Sequence, residues 1–267
     1  MKRIQYAIAS VALIGNLALI GSGRSEQESP SYYIRVEAGP SFGLCAAIEP
    51  NPIIWDSAQE GYDAKLHTAP MVGLEVGVNF CDLWSVGARA NYRSKFSYCK
   101  KQTPLNSATN GFLGNKTRFF DLDATSFILN LMINRTDNPY CALTICKTTL
   151  APYVGLGIGF ARTTLYNFHS VRADMATLGT FITNEVGSIM SPNGMNTFAW
   201  DAQVGCNISF CSNISLGIGY RFFDAGRFKT NNYLVDVLAG LTTPIVVYPW
   251  CSRLRASELV LQAGIGW

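Results

Sequence analysis

Several stretches of this chain alternate residue by residue between large apolar side chains and small or polar ones. In residues 84–96, Trp84, Val86, Ala88, Ala90, Tyr92 and Phe96 share one parity, while Ser85, Gly87, Arg89, Asn91, Arg93 and Lys95 share the other. Residues 72–80, 198–210 and 214–222 follow the same rule, as where Ile214, Leu216, Ile218, Tyr220 and Phe222 oppose Ser215, Gly217, Gly219 and Arg221. A period of two puts successive side chains on opposite faces of a β-strand. Strands are predicted over residues 31–43, 69–80, 84–97, 118–134, 150–166, 197–210, 213–227 and 256–267. Within 118–134 the parity of the apolar residues changes from Phe120, Leu122 and Ala124 to Phe127, Leu129, Leu131 and Ile133, so a bulge is expected near Thr125.

The polar parity is rich in glycine, which a sheet facing bulk water does not require. A narrow barrel with its apolar face in lipid does require it, because the inward side chains must fit a small lumen. The connections agree. Residues 81–83 and 211–212 are short and 135–149 intermediate, whereas 44–68, 98–117, 167–196 and 228–255 are long, as expected of periplasmic turns and extracellular loops. The expected fold is all-β, a transmembrane antiparallel up-and-down barrel of eight strands. The apolar segment 232–250 reads as a short helix folded into the mouth, an extra strand or a contact surface, which leaves a ten-stranded barrel as the alternative. Tyr32, Phe80, Trp84, Phe210 and Trp267 are expected in the periplasmic aromatic girdle, and Tyr92, Phe96, Phe120, Phe198 and Phe222 in the outer one.

On the inward parity, Arg35, Arg89, Arg93, Lys95 and Arg221 face Glu37, Glu75, Asp121, Asp123, Asp201 and Glu258. Five basic and six acidic groups in a lumen just wide enough for side chains read as an ion network that closes it. The other reading is a small porin or solute channel lined by Arg89, Arg93 and Lys95.

Composition narrows the classes further. Only 15% of residues are charged, against roughly 25% in an average soluble domain. A formal charge of +3 is too small for an electrostatic nucleic-acid binder, so no nucleic-acid partner is expected. Met1-Lys2-Arg3 followed by an uncharged apolar run to Ser22 reads as a signal peptide over 1–23, leaving 24–267 as the barrel domain. Export makes disulfides among the eight cysteines reasonable. Their C-x4-C spacings and the two histidines, His67 and His169, argue against a metal site. The expected barrel divides the cysteines between rims about 25 Å apart, too far for a bridge. The candidate pairs are therefore Cys45 with Cys99 and Cys141 with Cys146. Gly155-Leu156-Gly157-Ile158-Gly159 is not a dinucleotide loop, since Phe160 stands where the last glycine would be needed. A hydrolase using His67 or His169 with Ser57, Ser170 or Asp174 has no supporting spacing, and no catalytic residue or cofactor is assigned.

The stretch Leu216-Gly217-Ile218-Gly219-Tyr220-Arg221-Phe222, the earlier Tyr153-Val154-Gly155-Leu156-Gly157-Ile158-Gly159, and a final strand from Leu259 ending on Trp267 resemble the small outer-membrane barrels of the opacity-protein and OmpA-like surface antigen class. The resemblance implies a non-enzymatic protein of the Gram-negative outer membrane that exposes loops for envelope structure, adhesion or antigenic contact. Lipid-modifying hydrolases share the architecture. The resemblance also implies that Trp267 is part of the signal read by the barrel-assembly machinery. In its cysteine content the chain resembles disulfide-crosslinked major outer-membrane proteins of some intracellular bacteria, which implies other envelope proteins as partners through disulfides, beside outer-membrane lipid and host surface molecules.

Overall fold

The computed structural model describes residues 31–44, 66–80, 84–102, 116–134, 143–145, 148–172, 185–210, 214–236, 244–246, 249 and 251–267. The expected signal peptide, and Cys45, Cys141 and Cys146, lie outside them. Twelve strands run in chain order: β1 Ser31–Gly43, β2 Ala69–Phe80, β3 Trp84–Gln102, β4 Lys116–Asn134, β5 Leu143–Ile145, β6 Thr148–Arg172, β7 Glu185–Met190, β8 Asn193–Phe210, β9 Ile214–Lys229, β10 Tyr233–Asp236, β11 Ile245–Val246 and β12 Cys251–Gly266.

Eight of these close into an antiparallel barrel in the order β1, β2, β3, β4, β6, β8, β9, β12 and back to β1. The closing seam pairs Arg35 with Gly264 and Glu37 with Gln262. Beyond β12, Tyr32 and Trp267 exchange backbone hydrogen bonds of 2.9 Å in both directions. Closure leaves no sheet edge to meet lipid, the condition for a sheet to cross a bilayer. The ten-stranded alternative is set aside, because the extra strands stand outside the ring. At the long-loop rim β7 pairs with the top of β6, β10 with β7 and β11 with β10. The apolar segment 232–250 thus supplies two short strands, β10 and β11, among the described residues.

The outer face carries Ile34, Val36, Val72, Leu74, Val76, Phe127, Leu129, Leu131, Leu156, Ile158, Ile218, Leu259 and Leu261, all exposed. This apolar band ends at the short-turn rim on Tyr32, Trp84 and Trp267, with the Tyr32 and Trp267 rings stacked at 6.4 Å. Such an inverted distribution suits a wall bathed in lipid.

Near the long-loop rim the parity changes on three strands, and each change is a one-residue bulge. On β3, Arg93 pairs with Ala124 and Phe96 with Leu122, so Ser94 and Lys95 oppose Asp123 alone. On β6, two residues, Asn167 and Phe168, oppose Phe120. On β9 the register slips opposite Leu254 and Arg255. Lys95 (φ 61°), Asn167 (φ 54°) and Gly226 (φ 76°) sit at these three places with left-handed backbone. An extra residue in one strand rotates everything beyond it to the other face.

This geometry corrects four expectations. The structure has no bulge at Thr125: β4 keeps one parity from Phe120 through Leu122, Ala124, Ser126, Ile128, Asn130 and Met132, all buried. Phe96 and Phe120 therefore leave the outer girdle and enter the lumen. Lys95, carried outward by its own bulge, is exposed. Asp121 and Asp123 share the outward parity of Phe127 and so face out as well.

Candidate functional site

The inward residues form three levels. Nearest the short-turn rim, Tyr33, Met132 and Tyr153 pack as one buried cluster. Their rings lie against bare glycine backbone. A Cβ on Gly77 or Gly87 would collide with Tyr33, and one on Gly205 or Gly219 with Tyr153. The inward glycines of the alternating pattern are thus the space those rings occupy.

Above them lies the charged level, with the Arg35, Arg89, Arg93 and Arg221 side chains buried together with those of Glu37, Glu75, Asp201 and Glu258. Arg89 bonds Asp201, donates to the Gln203 side-chain oxygen at 3.0 Å and to Asn130 at 3.1 Å, and lies 3.5 Å from Glu75. Arg221 donates to both Glu37 oxygens at 2.7 and 2.8 Å. Arg93 grips Glu258 with two bonds, 2.5 Å from Nε and 3.1 Å from Nη2. Tyr33 donates to Glu75 at 2.7 Å, Asn130 to Glu75 at 2.9 Å, Gln262 to Glu37 at 3.1 Å and Ser41 to Glu258 at 2.8 Å. Arg35 is the loosest member, 3.8 Å from Glu75 with its guanidinium over the Tyr33 ring. Four positive and four negative groups cancel. Buried ion pairs contribute little net stability against apolar replacements, but removing one partner is costly.

The third level is apolar and reaches the long-loop rim. Phe96, Tyr98, Phe120, Leu122, Ile128, Leu165, Phe168, Phe223, Phe228 and Leu254 form one buried cluster across the lumen. Arg93 joins it to the level below, its guanidinium 3.5 Å above the Phe223 ring.

Of the eleven residues expected in the lumen network, eight are therefore brought together there, while Lys95, Asp121 and Asp123 stand outside. The two aspartates brace the bulges. Asp123 accepts the Lys95 backbone N–H at 2.8 Å and the Tyr92 and Tyr166 hydroxyls at 2.9 and 3.0 Å. Asp121 accepts Ser97 at 2.7 Å and the Asn167 amide at 3.0 Å. Partial desolvation, then the bond to Asp123, pushes the Tyr166 phenol above its ordinary pKa.

Sequence reasoning missed two features. Tyr33, Asn130, Gln203 and Gln262 complete the network; Gln203 lies on the inward parity of 198–210 but carries no charge to mark it. The second is outside the wall, where Asp224 is buried beneath Arg253 and Arg255.

His67, Cys99, Asp121 and His169 line one groove on the outer face of the long-loop rim. His169 stacks on Phe119 at 4.9 Å and contacts the Asn167 carbonyl. Ser170 is buried on the opposite face, so the structure does not bring it to His169; Ser57 and Asp174 lie outside the described residues. Cys99, expected to bridge to Cys45, is exposed with a free thiol. Trp267 is exposed at the short-turn end of the closing seam.

No protein-family model matches the chain, and no curated protein matches it. Solved structures do. Outer membrane protein OprG from Pseudomonas aeruginosa aligns with a TM-score of 0.53 at 12% identity, over 90% of this chain and 97% of that one. Neisserial surface protein A aligns with a TM-score of 0.46 at 12% identity, over 89% and 99%. The outer membrane protease OmpT from Escherichia coli aligns with a TM-score of 0.39 at 10% identity, over 92% and 99%. The chain has the fold of the small eight-stranded outer-membrane β-barrels.

Proposed function

We propose that this protein is a non-enzymatic component of the bacterial outer membrane, closed to solutes, whose rigid barrel presents its long connections at the cell surface for adhesion, antigenic contact or envelope structure. The observation that carries this reading is the filled lumen. A water-filled pore needs a continuous polar path, whereas here an apolar level of aromatic and aliphatic side chains spans the barrel above a charge-balanced level. The row that suggested a channel is also broken, with Arg89 and Arg93 paired to carboxylates and Lys95 on the outside.

Rigidity serves presentation. The bulges and the β7, β10 and β11 extension carry the wall upward past the apolar band, so the surface-exposed connections start from ordered strands. Trp267, beside the closing seam, supports recognition of the last strand by assembly machinery.

Planar-bilayer recording on refolded full-length protein tests the closed state. The expected result is no conductance step above background. Reproducible steps that change when Arg89 and Arg93 are replaced by Gln would establish the channel instead. Fractionation of native cells tests the location, with heat-modifiable protein in the outer membrane expected and a soluble periplasmic protein refuting it.

A further inference from the structure

Asp224 is unusual among the buried carboxylates because it lies on the outer wall. It is 2% exposed, and its partners are Arg253 and Arg255 of the neighbouring strand β12, whose side chains are about half exposed. Arg253 donates from Nε to Oδ1 at 3.0 Å and Arg255 from Nε to Oδ2 at 3.2 Å. The bulge beside Asp224 fixes its other contact, the Gly226 backbone N–H donating to Oδ1 at 2.8 Å. One buried anion thus holds two guanidinium groups side by side by their inner nitrogens. Their Nη groups take no part in these bonds.

The surroundings add positive charge. Arg227 pairs in register with Arg253, and Lys229 with Cys251, and both basic side chains are exposed. On β1, β8, β9 and β12 the outward face carries one carboxylate, Asp224, among the described residues, so the patch has three arginines and a lysine against one aspartate.

Its height identifies the occupant. A band about 25 Å tall, at about 3.3 Å per residue and a tilt of about 40°, takes about ten residues of strand. Counted from Trp267 along β12, ten residues reach Ser257. There the aromatics gather: Phe42 and Phe222 are the cross-strand neighbours of Ser257 on either side, and Trp200 lies 5.4 Å from Phe222. Aromatic belts mark the edge of the hydrocarbon. Arg255 and Arg253 are the next two outward residues, about 5 Å and 10 Å higher at the same rise and tilt, which is the level of lipid headgroups.

We propose that Arg253 and Arg255, held in register by Asp224 and flanked by Arg227 and Lys229, form a site on the barrel wall for the phosphate headgroup of a lipid in the outer leaflet. Planar guanidinium forks match phosphate oxygens in pairs. Asp224 is a positioning residue, since its removal frees both side chains to rotate without removing their charge. The inference rests on the outer-membrane reading above, whose failure would appear separately, as soluble protein on fractionation.

The test titrates the refolded full chain in neutral detergent with lipid A, with fully dephosphorylated lipid A and with inorganic phosphate, reading bound lipid by native mass spectrometry. Lipid A is expected to bind, and to bind about tenfold more weakly for each guanidinium removed, hence about a hundredfold more weakly in R253Q/R255Q. Dephosphorylated lipid A and inorganic phosphate are expected to bind no better than lipid A binds that variant. K95Q, on another part of the wall, is expected to bind like the native protein. Because R253Q/R255Q strands a buried carboxylate, R253Q/R255Q/D224N carries the same comparison without it. Equal binding of phosphorylated and dephosphorylated lipid, undiminished binding by the folded variants, or equal binding of inorganic phosphate overturns the proposal.

Discussion

Glu258→Gln is the sharpest probe of whether the lumen is dry. The native carboxylate has no exposure and takes two bonds from Arg93 and one from Ser41, with Arg221 Nη1 at 3.5 Å. The amide is nearly the same size, but one acceptor becomes a donor aimed at a guanidinium. The buried level then holds four arginines against three carboxylates. Breaking a buried pair by removing one partner costs about 3–5 kcal/mol, a large part of the roughly 5–15 kcal/mol that holds a typical domain together. Restoring the charge balance with R93Q/E258Q should recover part of the loss, with a coupling energy on the order of 2 kcal/mol. Reversible urea unfolding in lipid vesicles, followed by tryptophan fluorescence and by migration of the unheated protein, measures both quantities. If E258Q lies within about 0.5 kcal/mol of native and shows no coupling to Arg93, the charges are screened as exposed pairs are. The lumen is then hydrated, and the closed-barrel reading fails with it.

Phe223→Ala removes a fully buried ring from the apolar level and from beneath the Arg93 guanidinium, and should cost about 3–5 kcal/mol in the same unfolding assay. Gly219→Val drives a side chain into the Tyr153 hydroxyl and should destabilise by about 1–3 kcal/mol, partly relieved by Tyr153→Phe; an unaffected Gly219→Val would mean that the ring is not fixed there. Cys99 should react with a membrane-impermeant maleimide on intact cells without prior reduction, whereas labelling that appears only after reduction would restore the disulfide expected from the sequence.

Alternation was enough to read the strand count, the lipid-facing parity and most of the charged level, because a period of two is imposed by backbone geometry whatever the side chains are. It failed at the long-loop rim for a physical reason. The predicted ends at residues 97, 166 and 227 fall within two residues of the bulges at Lys95, Asn167 and Gly226, where one extra residue reverses the parity and the pattern ceases to look like a strand. Gly226 and Asn167 are residues that tolerate a left-handed backbone, but Lys95 gives no such signal. The apolar level is hidden by a second regularity, that large apolar residues of a membrane barrel face lipid; by that rule Phe96 and Phe120 read as outward. Both failures meet in one residue. Deleting Lys95 should let Ser94 pair directly with Asp123 and leave Phe96 on Leu122, Ser97 on Asp121 and Tyr98 on Phe120, so that Phe96 and Tyr98 stay in the lumen and Ser97 and Cys99 stay outside. No aromatic leaves the apolar level, so the cost is confined to the lost Lys95 N–H bond to Asp123, about 1 kcal/mol, offset by the left-handed strain that the deletion relieves. Lys95→Gly keeps the bulge and removes about 1 kcal/mol of left-handed strain, so it should be neutral or stabilising. A cysteine in place of Tyr98 reports the face directly: it should be inaccessible to maleimide with Lys95 present and remain so once Lys95 is deleted. Exposure of position 98 in the deletion, or a loss of several kcal/mol, would show that Lys95 is not the one extra residue that separates the two registers of this strand.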